Sequence, residues 1–194
     1  QENVAAAIEH LTASHQANAT WSSADEVLLM LAEAHQRNKD NAAARKTLES
    51  LLEQYPNTRL KPQVEYKLAQ LSAAMNQFDE AIERYQGVVN SPDAASYHNF
   101  ATYGIVWCLM QKEDYAQALK RVQPLLAQGL RDSVGGEAKL AEGVCLRKTG
   151  KEAQAIAALE EFLTTKPTGT SLANGLYELG LAYTQQGDLS KATA

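Results

Sequence analysis

What this sequence has little of narrows its possible functions. Its two cysteines, Cys108 and Cys145, are too few for a disulfide framework and are not spaced as C-x-x-C. The longest apolar runs, VLLMLA at 27–32 and GIVWCLM at 104–110, fall well short of the roughly 20 residues that cross a bilayer. No direct membrane insertion is expected. Lys and Arg never occur more than two in a row and the formal net charge is −5. The phosphate neutralisation that draws proteins to nucleic acid therefore has no obvious source, and no nucleic-acid partner is expected. Residues 1–20 lack a basic head followed by an apolar stretch. There is no H-E-x-x-H, no nucleophile elbow and no G-x-G-x-x-G, so the chain reads as a non-enzyme without cofactor or metal.

What is present is helix-forming and periodic. Ala, Leu, Gln and Glu are abundant while Ile and Val are scarce, a balance that favours helix. Alanine recurs every 37 residues at Ala7, Ala44, Ala81, Ala118, Ala155 and Ala192. A period of this length must be settled before any other fold argument. Other columns keep the same interval. Ala32, Ala69, Val106, Gly143 and Gly180 form a second small column, and one place earlier stand Leu31, Leu68, Ile105, Glu142 and Leu179. Only Glu142 breaks the apolar character of that set. Leu48, Tyr85, Val122 and Leu159 follow each alanine by 4 residues, and Leu51, Val88, Leu125 and Phe162 by 7, which are helical spacings.

Between the two small columns lies a turn, in RNKDN, MNQFD, QKEDY, KTGKE and QQGDL, with Gly150 and Gly187 placed for a left-handed helix end. Pro56, Pro92, Gly129 and Pro167 close the units. Each unit is thus two antiparallel helices whose backbones approach through small residues.

In its small columns, its turn residues Phe78, Tyr115 and Leu189, the pairs Gly143–Gly150 and Gly180–Gly187, and its closing prolines, the chain resembles the tetratricopeptide repeat family. The resemblance implies an all-α fold, a right-handed α-solenoid of stacked antiparallel helix pairs, in one array over 1–194. Full repeats are expected at 25–61, 62–98, 99–135 and 136–172, with 1–20 the second helix of a truncated repeat and 173–194 another truncated repeat. Both ends cut through a repeat, which predicts a piece of a longer chain whose raw ends self-associate.

The remaining motifs have plain structural readings. Gly150 in TGKE is explained by the repeat turn, and the first glycine of a P-loop is missing. His10 and His15 read as surface histidines, His35 as a core histidine with a polar partner, and Cys108 and Cys145 as small buried thiols. Asn18-Ala19-Thr20 fits the glycosylation pattern, as many unrelated sequences do.

The first helices carry the informative surface. In the third unit Thr102, Ile105, Val106 and Leu109 make the core stripe, while Phe100, Tyr103, Trp107 and Met110 form a second one about 130° away. By the family resemblance this stripe faces a concave groove, and Tyr66, Leu140, Val144, Tyr177 and Leu181 hold the matching places in other units. The alternative is that these side chains pack between neighbouring first helices as ordinary core. Glu26, Glu33, Gln36 and Arg37 make the first unit polar, a wet end to the groove. Leu29, Glu33, Tyr66 and Gln70 stand where some relatives carry a lysine and asparagine carboxylate clamp, so that clamp is missing.

The expected function is a non-catalytic protein–protein interaction scaffold that binds a partner peptide or helix in its groove. The alternative is a regulatory or substrate-docking arm of a larger enzyme. Phrases such as LLEQYPNTRLKPQVEYKLAQL are similar to repeats of bacterial cell-envelope proteins, including Tol-Pal-associated and outer-membrane assembly factors, which implies a periplasmic location.

Overall fold

Where a side chain is no larger than a methyl group, two helix backbones can come close enough to exclude water between them. The four interior alanines of the period, Ala44, Ala81, Ala118 and Ala155, are each 0% exposed. The computed structural model describes residues 2–130 and 132–192; Gln1, Thr193 and Ala194 of the outer half-repeats, and Arg131, lie outside them. The helices are α1 (Glu2–Ala17), α2 (Ala24–Arg37), α3 (Asn41–Gln54), α4 (Lys61–Ala74), α5 (Phe78–Asn90), α6 (His98–Gln111), α7 (Tyr115–Leu126), α8 (Ser133–Lys148), α9 (Glu152–Thr164), α10 (Gly169–Gln186) and α11 (Leu189–Ala192). A 3₁₀ segment, Pro92–Tyr97, leads into α6. No strand occurs among the described residues, and consecutive helices form the antiparallel pairs of an α-solenoid.

The chain divides into two compact units, one ending at His98 and one beginning at Asn99. The division falls where the second and third repeats meet in the sequence. In the first unit α2 pairs with α3 and α4 with α5, while α1 packs on α2. Its core is built from Leu28, Leu31, Leu48, Leu51, Leu68 and Leu71. In the second unit α8 pairs with α9 and α10 with α11, while α7 packs on α8 and α10 on α9. Val106 of α6 joins Val122, Leu125, Leu159 and Phe162 in a single core there. The second small column is buried as well at Ala32, Ala69, Val106 and Gly143. A Cβ on Gly143 would lie 2.5 Å from Leu159 Cγ, so glycine is what admits this leucine.

The turn inside each pair has one geometry throughout. Lys39, Asn76, Glu113, Gly150 and Gly187 all have positive φ, of 63°, 59°, 60°, 72° and 89°, and they stand one period apart. Each donates its N–H three residues back, and the next residue donates five residues back, with all ten distances between 2.9 and 3.1 Å. This is the Schellman arrangement, and it satisfies carbonyls that a helix end would leave open. Asp40 and Asp114, each next after the turn residue, also cap the following helix, their carboxylates accepting from Ala43 N–H at 2.9 Å and Gln117 N–H at 3.1 Å. The chain therefore turns with no slack residues.

Glycine marked only two of these five positions in the sequence. Asparagine tolerates the left-handed region, but Lys39 and Glu113 have no such excuse. The strain at an L-residue, about 1–2 kcal/mol, exceeds the extra chain entropy that glycine loses, about 0.5–1 kcal/mol. Glu113→Gly is therefore expected to stabilise the chain by about 0.5–1 kcal/mol. Urea denaturation of this variant beside Gly150→Ala, which should shift the midpoint the other way, checks the assignment.

Candidate functional site

A helix face that repeats at constant pitch can present its side chains to a partner or use them on the next helix, and burial separates the two uses. On α6, Phe100 is 43% exposed and Trp107 38% exposed, and on α10 Tyr177 is 65% exposed. Tyr103, Met110, Val144 and Leu181 are half-buried, and Leu140 is buried among core residues. In the first unit Tyr66 is half-buried, its ring stacked on Tyr97 with centroids 5.3 Å apart and tilted against Tyr85 at 5.8 Å. The nine sequence-derived groove residues thus differ in what they can offer. Phe100, Trp107 and Tyr177 present aromatic surface, while Leu140 is buried and Tyr103 half-buried.

Polar contacts join successive first helices. The Tyr103 hydroxyl of α6 donates to the Glu137 carboxylate of α8, and Ser171 Oγ of α10 donates to the same carboxylate at 2.7 Å. Arg147 of α8 meets Glu178 of α10, with Nε and Nη2 at 2.7 and 2.6 Å from Oε2. The helices α6, α8 and α10 therefore succeed one another within the second unit. Burial first, and then the Glu137 charge, push the Tyr103 phenol well above its ordinary range. The hydroxyl stays protonated and serves as a donor.

In the first unit Thr58 donates to Asp25 at 2.6 Å, Arg59 pairs with Glu26, and Lys67 pairs with Glu33 at 2.9 Å. Of the expected wet end, Glu26 is engaged by Arg59 in the turn before α4 and Glu33 by Lys67 on α4. Their signal was available: an opposite charge stands 33 residues after Glu26 and 34 after Glu33. That offset is one period less about one helical turn, which is where a neighbouring helix places its facing residues.

On the second helices of the first unit Arg45 holds both Glu80 and Glu49, and Arg84 also reaches Glu80 at 3.0 Å. The Arg45 hydrogen bond is the main cause that holds the Glu80 carboxyl below its usual range. His35 is half-buried. Both thiols are buried and free, and burial pushes Cys108 up to about 11 and Cys145 up to about 12. Neither is a thiolate at neutral pH, so neither is primed for nucleophilic chemistry.

Two clefts open at junctions between repeats, one in each unit. The first, about 640 Å³, is lined by Lys61 and Asp93 among others, and the second, about 490 Å³, by Gly135 and Pro167. These residues stand two periods apart, so the repeat itself generates both hollows. Their chemistry is not shared. Among the described residues no three His, Cys, Asp or Glu side chains are placed to hold a metal ion.

The comparisons agree with this architecture. No curated protein matches the chain. Among solved structures, MamA residues 41 to the end from Desulfovibrio magneticus RS-1 superposes with a TM-score of 0.73 at 16% identity, over 87% of this chain and 89% of that one. BtubC from P. vanneervenii gives 0.73 at 17% identity, over 99% and 85%. YrrB, described as a TPR protein with an unusual peptide-binding site, gives 0.64 at 17% identity, over 95% and 88%. Likeness at such low identity shows the fold alone. Sequence models of the tetratricopeptide repeat match residues 26–58, 63–94 and 103–170. With more than half of its length so matched, the chain belongs to the tetratricopeptide repeat family.

Proposed function

We propose that this chain is a protein–protein interaction scaffold whose second unit holds an apolar segment of a partner polypeptide against the first-helix face. The observation that carries this reading is the exposure of Phe100, Trp107 and Tyr177 on α6 and α10. Met110, Val144 and Leu181, half-buried beside them, extend the apolar surface. Aromatic side chains offer large contact area at small entropic cost and dominate the energetics of such interfaces. The surface leaves out Tyr66, which lies in the first unit stacked on Tyr97. The peptide-binding site named for YrrB supports a polypeptide ligand.

A random peptide library displayed on phage and selected on the purified chain tests the proposal. For the selected peptides, Trp107→Ala and Tyr177→Ala are each expected to raise Kd at least about tenfold, as for hot-spot aromatics, with the helical circular dichroism unchanged. Selected peptides that bind both variants as tightly as the parent chain would overturn the assignment of this face.

A further inference from the structure

Glu142 stands in a column that holds Leu31, Leu68, Ile105 and Leu179 in the other repeats. The structure leaves it half-buried on α8, which packs against both α7 and α9. From α7, Gln123 hydrogen-bonds to its carboxylate, and from α9 the like-charged Glu161 faces it. Lys139, one turn earlier on α8, is the nearby cation, and it is ion-paired to Glu161. From α10, Glu178 is held by Arg147, and Ser171 is held by Glu137. On its own helix Cys145 lies close enough to sense its charge. All four histidines, His10, His15, His35 and His98, belong to the first unit. The group ordinarily responsible for changes between neutrality and about pH 5 is therefore missing from the second.

We propose that Glu142 makes the α7–α8–α9 layer of the second unit a pH-responsive element, loosened at neutral pH by a carboxylate in an apolar column and tightened by mild acid. Burial is the main cause raising this carboxyl above its ordinary range, Glu161 adds to it, and the Gln123 hydrogen bond and Lys139 only oppose it in part. The folded layer then binds a proton more readily than the unfolded chain does. Its stability rises as pH falls from neutrality through the raised pKa, and levels off in the ordinary carboxylate range. The same helix α8 carries Leu140 and Val144, but the inference does not depend on what the aromatic face binds.

Hydrogen exchange of the full chain, corrected for intrinsic rates, reads the effect directly. Between pH 7 and about pH 5, amide protection in 115–164 is expected to rise several-fold in the parent chain and to stay level in Glu142→Gln. Glu142→Leu should show the raised protection already at pH 7. A parent chain whose protection does not change, or a Glu142→Gln variant that rises as the parent does, overturns the proposal. Because glutamine keeps the size and hydrogen bonding of glutamate, a fold lost in the leucine variant leaves the test intact.

Discussion

Replacing Glu178 by alanine is expected to destabilise the second unit by about 3–5 kcal/mol, the range for stripping one partner from a buried ion pair. The Arg147 side chain is 7% exposed and that of Glu178 16%, and both guanidinium contacts fall on a single carboxylate oxygen. Alanine at position 178 leaves a guanidinium without its counter-charge in a place where water reaches it poorly. The pair itself need not be a net gain, since its attraction offsets a desolvation cost of similar size. Arg147→Met with Glu178→Leu is therefore expected to recover most of the loss. Urea denaturation of Glu178→Ala, and of Arg147→Met, Glu178→Leu and their combination, followed by Trp107 fluorescence in a Trp21→Phe background, completes the cycle. If Glu178→Ala alone costs less than about 1 kcal/mol, the value of an exposed pair, the pair is not buried as described.

Gly175→Val is the second substitution expected to act strongly, and it acts by crowding. Gly175 is buried on α10, and a Cβ there would lie 2.4 Å from Cε1 and 2.8 Å from Cδ1 of Phe162 on α9. Phe162 is 1% exposed and has core on its other sides, so its flat ring has no room to retreat. Overpacking of this kind costs about 1–3 kcal/mol. Valine adds branching at the point of contact, which places the expected loss near the upper end. Shortening the ring should relieve it. In a Phe162→Leu background, Gly175→Val is expected to cost at least about 1 kcal/mol less than in the parent chain, a coupling typical of residues in contact. Equal costs in the two backgrounds would mean that the glycine is needed for something other than this ring.

The two substitutions differ in how visible they are beforehand. The small column containing Gly143 could be read from the sequence because it recurs at fixed pitch. Gly175 also ends a column at that pitch, after Ala101 and Ala138, but the phenylalanine on the preceding helix that makes even a methyl group too large there is visible only in the structure. Arg147 and Glu178 carry no motif that links them, and their juxtaposition depends on how far α10 is shifted along α8. The groove residues divide in the same manner. Spacing puts Phe100, Tyr103, Trp107 and Met110 on one stripe, yet burial grades them, leaving Phe100 and Trp107 exposed while Tyr103 is half-buried against Glu137.

The period, the helical pairing, the position of each turn and the alanines where backbones touch were all present in the amino-acid order. Each is a short-range or strictly repeating property, set by helix geometry and by the volume of a few side chains. Tertiary structure decided which carboxylates meet which cations and hydroxyls 31 to 34 residues away. It also decided that a lysine and a glutamate take the left-handed turn along with the glycines. Contacts between neighbouring helices depend on offset and rotation, which many sequences of the same period satisfy differently. A turn with no slack residues, in turn, imposes its backbone angles on whatever side chain stands there.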